Sequence, residues 1–327
     1  MNQYNFKFID LFAGIGGIRI PFDELGGKCV FSSEWDKHAQ TMYEANFNHK
    51  PAGDITEIDK DSIPDHDILL AGFPCQAFSI MGKSLGFADT RGTMFFEVEK
   101  VLSAKKPSAV FLENVKQLRS HDKGRTLQVI IAKLEKLGYK VKYKILNALD
   151  YGLPQKRERI IIVGFLDHDI KFNFPEEGLD SQVSLEDILE KDSDVEEKYW
   201  ASQEIVEKRK SKVVDKDILI PSIWHENKSG NISINKFSCA LRAGASYNYL
   251  LVNGVRRLTS RELLRLQGFP EDFKVVVPHS QVRKQTGNSV AVPVIRAVAN
   301  EMVRSMYDSD YRKHMKLKEE TEQLKLF

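Results

Sequence analysis

The chain has 327 residues, enough to bury a large core and to form roughly two domains. Hydrophobic residues make up 42% of the sequence and charged residues 29%, which excludes the disordered and fibrous classes. The formal net charge of +2 is too small to indicate a nucleic-acid partner by itself, so any such partner must be argued from local clusters.

The cysteine pattern and the hydropathy bear on the compartment. Cys29, Cys75 and Cys239 are widely spaced and form no CxxC pair, which favours a reducing compartment over a disulfide framework or a zinc site. No stretch approaches ~18 consecutive apolar residues, and the N-terminal segment lacks the pattern of an export signal. The sequence therefore predicts a cytoplasmic protein that neither spans a membrane nor binds a metal.

The first half alternates short apolar runs with amphipathic stretches, the pattern of an α/β domain with a doubly wound, mostly parallel sheet. Strands are predicted at 6–11, 29–33, 67–71, 109–112, 140–146 and 160–165. Helices are predicted between them at 36–47, 92–104 and 126–137, the last closed by Gly138.

The character of the sequence changes after about residue 174, where acidic and basic runs and polar stretches such as HENKSGN predict a second, smaller domain. The predicted division is 1–186 plus 288–327 for the first domain and 187–287 for the second, which would include a hinge. Thr259 and Glu262 are spaced as a capping box, so a short helix should begin there. A last helix from about residue 290 to 306 should return to the first domain.

FIDLFAGIGG predicts a strand, a glycine turn and a helix, where Gly14 and Gly16 would let the backbone approach a ligand. Glu34 follows the next strand, at the ~20-residue distance where an acid binds ribose hydroxyls in nucleotide-binding folds. Trp35 could stack on an adenine, and Asp54 could accept a hydrogen bond from its amino group. This series predicts an adenosine-containing cofactor, although the turn could simply need glycine.

NAD and S-adenosylmethionine both carry adenosine, and the glycines do not decide between these two cofactors. The second half of the GxGxxG pyrophosphate pattern is absent, because Arg19 stands where glycine or alanine would be required. This difference favours a cofactor without a pyrophosphate.

Cys75 in GFPCQAFS and Glu113 in FLENV both follow predicted parallel strands, at the edge where open α/β sheets build active sites. A thiolate and a protonatable carboxyl suit attack on an electron-poor ring, since sulfur can add to one carbon while the acid stabilises charge on a ring nitrogen. The alternatives are an inert core cysteine and a surface or capping acid.

Two further segments with basic residues belong to the candidate site. Lys156, Arg157 and Arg159 in QKRER are either contacts to phosphates and a ring carbonyl or plain solvated charges. The glycine-rich loop after Cys75, which holds Lys83 and Arg91, is either a lid over a polyanion or an ordinary surface loop.

QTGNSV places Gly287 and Asn288 at a predicted helix entry, where Asn288 would cap the helix or also line the cofactor site. His225, Glu226 and Cys239 have no metal-ligand spacing, so no metal site is predicted from them.

With these motifs in view, the chain resembles the DNA (cytosine-5)-methyltransferases. FIDLFAGIGG, GFPCQAFS, ENV, QKRER, RLTSRELLRLQGFP and QTGNSV occur in that family's order. The resemblance covers nearly the whole chain except the stretch from about residue 187 to 250.

The resemblance implies S-adenosylmethionine as the cofactor and a cytosine flipped out of double-stranded DNA as the substrate. It implies that Cys75 adds to carbon 6, that Glu113 holds ring nitrogen 3 and the exocyclic amine, and that Arg159, with Arg157 nearby, contacts the ring carbonyl. Carbon 5 then takes the methyl group and loses its proton, which expels the enzyme. The residues implied to line the cofactor site are Phe12, Gly14, Ile15, Gly16, Gly17, Glu34, Trp35, Asp54, Ile55, Gly72, Pro74, Asn288 and Val290.

The smaller domain is implied to read base edges in the DNA. The predicted DNA contacts are Met81, Lys83, Arg91, Lys156, Arg242 and Asn248, with Lys228, Asn231 and Tyr247 as further candidates. Met81 stands where the closing loop would approach the base pair that the cytosine leaves, a place where serine is more familiar. The expectation is a monomer that acts alone or beside a separate restriction endonuclease.

Three alternatives stay open. A tRNA cytosine-5 methyltransferase shares these motifs, but the long polar segment between QKRER and RRLTSREL fits a DNA target-recognition region better. A silent regulatory homologue should have lost Cys75, Glu113 or the glycine turn, and all are present. An NAD-dependent oxidoreductase is the weakest alternative and would bind NAD instead of S-adenosylmethionine.

Overall fold

The computed structural model describes residues 3–74, 94–176, 178, 183–214 and 217–324. A six-stranded sheet with the order β2-β1-β3-β4-β7-β5 forms its centre. The strands of this sheet are β1 (Phe6–Leu11), β2 (Gly27–Ser33), β3 (Ile68–Gly72), β4 (Ala109–Val115), β5 (Lys140–Asn147) and β7 (Glu158–Phe165). The helices that follow its strands are α1 (Arg19–Glu24), α2 (Lys37–Phe47), α3 (Met94–Lys105) and α4 (Arg125–Lys136).

The sheet is mostly parallel, as predicted, with one exception. β1 pairs in parallel with β2 and with β3, and β3 pairs in parallel with β4. β7, in contrast, runs antiparallel to both β4 and β5. Only residues 148–157 separate β5 from β7, and a parallel crossover needs a dozen or more residues. The short connection therefore reverses the chain and places the start of β7 beside the end of β4.

Helices cover both faces of the sheet, which explains why its strands β1, β3, β4 and β7 are almost entirely buried. Successive residues of a strand point to opposite faces, so Phe8 packs in one hydrophobic cluster and Ile9 in the other. The helix α9 (Val292–Tyr307) packs in the same cluster as Phe8 and contacts α1. The helix predicted at about 290–306 therefore packs against the central sheet.

A smaller unit lies between these parts of the chain. It holds the antiparallel sheet β11-β8-β9, and a parallel two-residue pairing joins β10 to β6 of the first unit. Its strands are β8 (Ile223–Glu226), β9 (Ile232–Asn235), β10 (Ser238–Cys239) and β11 (Leu250–Val252), and β6 is Gln155–Lys156. Its helices are α5 (Leu185–Ile188), α6 (Gln203–Lys210), α7 (Ser260–Leu266) and α8 (His279–Asn288), and α10 (Ser309–Leu324) follows α9.

The unit has its own hydrophobic cluster, which includes Ile223, Leu250 and Leu263. The predicted capping box is confirmed at the start of α7, where Thr259 and Glu262 each accept a backbone N–H from the other. Across the described part of the chain, every helix is too short or too polar to span a bilayer.

The predicted helix entry at Asn288 is wrong. Asn288 is the last residue of α8, and the cap of the following helix is Ala291. Gly287 is needed for a different reason, because a Cβ atom there would lie 2.2 Å from the backbone nitrogen of Ala243. The glycine therefore permits a close approach between the end of α8 and the segment that follows β10.

Candidate active site

Glu113 and Arg159 meet at the carboxyl end of the parallel strands. Glu113 lies near the end of β4, in register with Gly72 at the end of β3, and is only 8% exposed. The Nε atom of Arg159, near the start of β7, lies 3.0 Å from its Oε1 atom. The structure thus brings together a carboxyl and a guanidinium that the sequence separates by two strands.

Burial raises the pKa of the Glu113 carboxyl above its usual value, although Arg159 and Arg157 act in the opposite direction. A carboxyl in this environment retains a proton to higher pH than one in water. It can therefore donate to, or share a proton with, a ring nitrogen.

Asn114 connects this edge to the segment that leaves β3. Its Nδ2 atom donates to the carbonyl of Phe73 across 2.8 Å, and its Oδ1 atom accepts the N–H of Val115 across 2.9 Å. Pro74, which is exposed, follows Phe73 directly. Sequence reasoning missed Asn114, although its place beside Glu113 in ENV was a usable signal.

Several predicted residues fall where the structure is not described. The predicted nucleophile Cys75 and the predicted DNA contacts Met81, Lys83 and Arg91 lie within 75–93, outside the described residues.

The glycine turn between β1 and α1 has one open face. Gly14 has φ +55°, and a Cβ atom placed there would meet nothing within 4 Å. At Gly16, with φ +84°, a Cβ atom would lie 2.2 Å from the ring of Phe47, and at Gly17 it would lie 2.8 Å from the hydroxyl of Ser289. A ligand therefore has room beside Gly14, whereas Gly16 and Gly17 serve packing.

Glu34 and Trp35 lie next to this open face. The two carboxylate oxygens of Glu34 accept the N–H groups of Gly14 and Asp36, each across 2.8 Å. Burial raises the pKa of Glu34, and these backbone hydrogen bonds oppose the rise. Trp35 is 73% exposed, which leaves its ring free to stack on a ligand.

The other predicted cofactor residues differ in exposure. Asp54 is half-buried, and its Oδ1 atom accepts hydrogen bonds from the N–H and hydroxyl of Thr56, each across 2.9 Å. Ile15, Ile55 and Val290 are buried in hydrophobic clusters. The remaining predicted residues that reach the surface at least in part are Phe12, Gly72, Pro74 and Asn288.

Arg157 is not at the surface. It is 1% exposed, and its guanidinium donates to the carbonyls of Leu241, Gly287 and Ser289. This burial contradicts the predicted contact of Arg157 with a phosphate or a ring carbonyl. Its neighbour Lys156 is exposed, as a phosphate contact would require.

Three of the predicted DNA-reading residues, Arg242, Tyr247 and Asn248, lie in the segment between β10 and β11, whereas Lys228 and Asn231 lie between β8 and β9. Arg242 is exposed, with its guanidinium carbon 4.9 Å from the ring centroid of Tyr249. Asn248 is half-buried, and its Oδ1 atom accepts from Nε of Arg257 across 2.7 Å. Arg242 is thus more available to a partner than Asn248.

Comparison with known proteins shows relatives along nearly the whole chain. The chain is 62% identical over 306 residues to the type II methyltransferase M.HaeII of Haemophilus aegyptius, covering 94% of this chain and 95% of that protein. It is 44% identical over 317 residues to the type II methyltransferase M.HhaI of Haemophilus parahaemolyticus, covering 93% and 96% of the two chains.

Solved structures share the fold at lower sequence identity. A mutant of Spodoptera frugiperda DNMT2 superimposes with a TM-score of 0.69 at 21% identity, covering 92% of this chain and 99% of that chain. A putative DNA modification methyltransferase of an Escherichia coli prophage gives a TM-score of 0.68 at 19% identity, with the same coverage. The family model for C-5 cytosine-specific DNA methylases matches residues 6–304. The chain therefore belongs to the C-5 cytosine-specific DNA methylase family.

Proposed function

We propose that this enzyme methylates carbon 5 of a cytosine within a short recognition sequence in double-stranded DNA, with S-adenosylmethionine as the cofactor. The observation that supports this most is the ion pair between Glu113 and Arg159, a buried acid and a cation placed together at the carboxyl edge of the sheet. The name of type II methyltransferase that the relatives bear supports a place in a restriction-modification system.

In the proposed reaction, each side chain acts on the cytosine ring. The thiolate of Cys75 forms a bond to carbon 6, and the electron pair of the carbon 5–carbon 6 double bond makes carbon 5 nucleophilic. Glu113 stabilises the negative charge at nitrogen 3, for which its raised pKa is suited, while Arg159 contacts the ring carbonyl. When a base removes the proton of carbon 5 after methyl transfer, the sulfur–carbon bond breaks and the thiolate is released.

The residues around Gly14 fit an adenosine-containing cofactor. The open face of Gly14 admits a ligand, Glu34 offers carboxylate lone pairs to ribose hydroxyls, and exposed Trp35 offers a ring to adenine. Asp54 would accept from the adenine amino group. S-adenosylmethionine, when bound, supplies an electrophilic methyl group.

The proposal assigns a different role to each of the two units. Residues 1–186 and 288–327 would hold the cofactor and the reacting base, and 187–287 would read the DNA. Lys156 in β6 and Arg242, which follows β10, are exposed and would contact the DNA, as would Met81, Lys83 and Arg91. We propose further that the enzyme acts as a monomer in the bacterial cytoplasm, beside a separate endonuclease.

A tRNA substrate is the less favoured alternative. The likeness to DNMT2, at 21% identity, shows the fold alone. The relatives at 62% and 44% identity are type II methyltransferases.

The decisive experiment is expression in a host without cytosine methylation, followed by conversion sequencing of the genome. We expect one short motif to carry 5-methylcytosine throughout, and the Cys75→Ser variant to leave the genome unmodified. An unmodified genome with soluble wild-type protein would overturn the proposal. Assays of the purified protein with labelled S-adenosylmethionine on tRNA would then test the alternative.

A further inference from the structure

The segment that runs from β6 into the start of β7 bears three long polar side chains at alternate positions: Gln155, Arg157 and Arg159. Arg159 pairs with Glu113, whereas Gln155 and Arg157 are 0% and 1% exposed and turn to other parts of the chain. One short segment thus contacts both the proposed catalytic carboxyl and the smaller unit.

Gln155 and Arg157 hold the backbone of Leu241 from both sides. The N–H of Leu241 donates to Oε1 of Gln155 across 3.1 Å, and its carbonyl accepts from Nη1 of Arg157 across 3.1 Å. Leu241 directly precedes Arg242, an exposed residue of the proposed DNA-reading segment between β10 and β11. The start of that segment is therefore fixed to the same stretch of chain that holds Glu113.

The same two side chains also hold the ends of two helices. Nε2 of Gln155 donates to the carbonyl of Leu266 at the end of α7 across 2.6 Å. Nη2 of Arg157 donates to the carbonyl of Gly287 in the last turn of α8 across 3.2 Å and to that of Ser289. The Nη atoms of a planar guanidinium donate in directions that the plane fixes, whereas the three donors of a lysine ammonium rotate about one nitrogen.

A buried arginine is an expensive means of packing. Burial, together with the nearby charge of Arg159, lowers the pKa of Arg157 to about 9. An apolar side chain would fill the same volume without this desolvation penalty, but it would not fix the positions of three carbonyl groups.

We infer that Gln155 and Arg157 are positioning residues that set the placement of the DNA-reading segment relative to the Glu113–Arg159 pair. The inference rests on the proposed function and extends it, because it assigns Arg157 an action through Leu241 rather than on the base. An error of 1 Å in the position of reacting groups can reduce a rate about 10²-fold. Loss of the hydrogen bonds from Gln155 and Arg157 should therefore reduce both the rate of methylation and the discrimination between DNA sequences.

The test compares Arg157→Lys with a matched control. Tyr139→Phe also removes a buried donor to a backbone carbonyl, that of Pro107 across 2.7 Å, but beside Gly164 at the opposite end of β7 from Arg157. For both variants we would measure S-adenosylmethionine affinity, thermal stability, kcat and KM on cognate DNA, and the rate ratio between cognate DNA and DNA with one altered base pair.

We expect Arg157→Lys to keep cofactor affinity within about twofold, to reduce kcat/KM roughly 10–100-fold and to narrow the rate ratio. Tyr139→Phe should leave all three kinetic quantities near those of the wild type. Gln155→Leu provides a second variant with the same expected direction if Arg157→Lys does not fold.

The inference is overturned if the wild type is active and the Arg157→Lys and Gln155→Leu variants discriminate between DNA sequences as well as Tyr139→Phe does. That result would leave the proposed function standing. A wild type that methylates no DNA would instead refute the proposed function.

Discussion

Arg159 reaches Glu113 across 3.0 Å because β7 runs antiparallel to β4. In an antiparallel pair one strand begins where its neighbour ends, so a residue near the start of β7 lies beside a residue near the end of β4. If β7 were parallel, Arg159 would lie at the opposite edge of the sheet, the length of a strand away. The one reversed strand thus completes the proposed base-binding pair.

The first prediction concerns the carboxyl of this pair. Glu113→Gln keeps the shape of the side chain but cannot supply or share a proton, so kcat should fall roughly 10²–10⁴-fold. DNA affinity in a gel-shift assay should stay near that of the wild type. Glu158→Gln is the control, since Glu158 forms only a partly exposed ion pair with Lys116. Near-normal turnover by Glu113→Gln would eliminate the acid role.

A second prediction follows from the hydrogen bond between Asn114 and Phe73. Asn114→Asp retains an acceptor for the N–H of Val115 but cannot donate to the Phe73 carbonyl, and Asn114→Ala loses both bonds. Both should reduce single-turnover methylation, because the segment leading to Cys75 loses its anchor. The alanine variant should also lose about 1–3 kcal/mol in the free energy of unfolding. An aspartate variant with wild-type turnover would show that the Phe73 contact has no part in positioning.

The elements that sequence predicts best here are those fixed by local patterns. The apolar run of β1 and the capping box of Thr259 and Glu262 are properties of neighbouring residues, and both were confirmed. The burial of Arg157 depends on Leu241, 84 residues away, and no local pattern distinguishes it from exposed Lys156. The wrong prediction of a helix entry at Asn288 has the same origin, because neither segment by itself predicts the close contact of Gly287 with Ala243.

The third prediction contrasts two glycines of the cofactor turn. Both Gly14 and Gly16 have positive φ, so alanine at either position costs about 1 kcal/mol in backbone strain. Gly16→Ala also forces a methyl group against Phe47 and should lose a further 1–3 kcal/mol, roughly, in unfolding free energy. Gly14→Ala should fold nearly as well as the wild type but bind S-adenosylmethionine more weakly, because its methyl group enters the open face. Chemical unfolding and calorimetric titration separate the two effects, and a reversed order would refute the assignment of the open face.

The fourth prediction concerns Asp10 at the end of β1, beneath the same turn. Asp10 is fully buried, and its Oδ2 atom accepts from the hydroxyl of Tyr43 across 3.2 Å. Burial raises the pKa of Asp10 from 3.8 to about 8, although the charge of Arg19 opposes the rise. The folded protein therefore retains a proton that the unfolded chain has lost over this interval.

The sign of the effect on stability follows from this difference. A carboxyl whose pKa is raised in the folded state contributes stability that is fully present below its unfolded value and is lost as pH rises through the folded value. Burial raises the pKa of Cys29 to about 12 and that of Tyr43 well above its usual value, so both stay protonated between pH 4 and pH 8. Asp23 also faces Arg19 and titrates in the same direction, but it is present in both proteins compared. Asp10→Asn should therefore remove only the contribution of Asp10.

Between pH 5 and pH 9 the wild type should lose more than about 1 kcal/mol of unfolding free energy relative to the Asp10→Asn variant, measured by urea unfolding. Parallel pH profiles would mean that Asp10 is already ionised and paired with Arg19 at pH 5, in which case the cofactor turn rests on an ion pair and not on a neutral hydrogen-bonded acid.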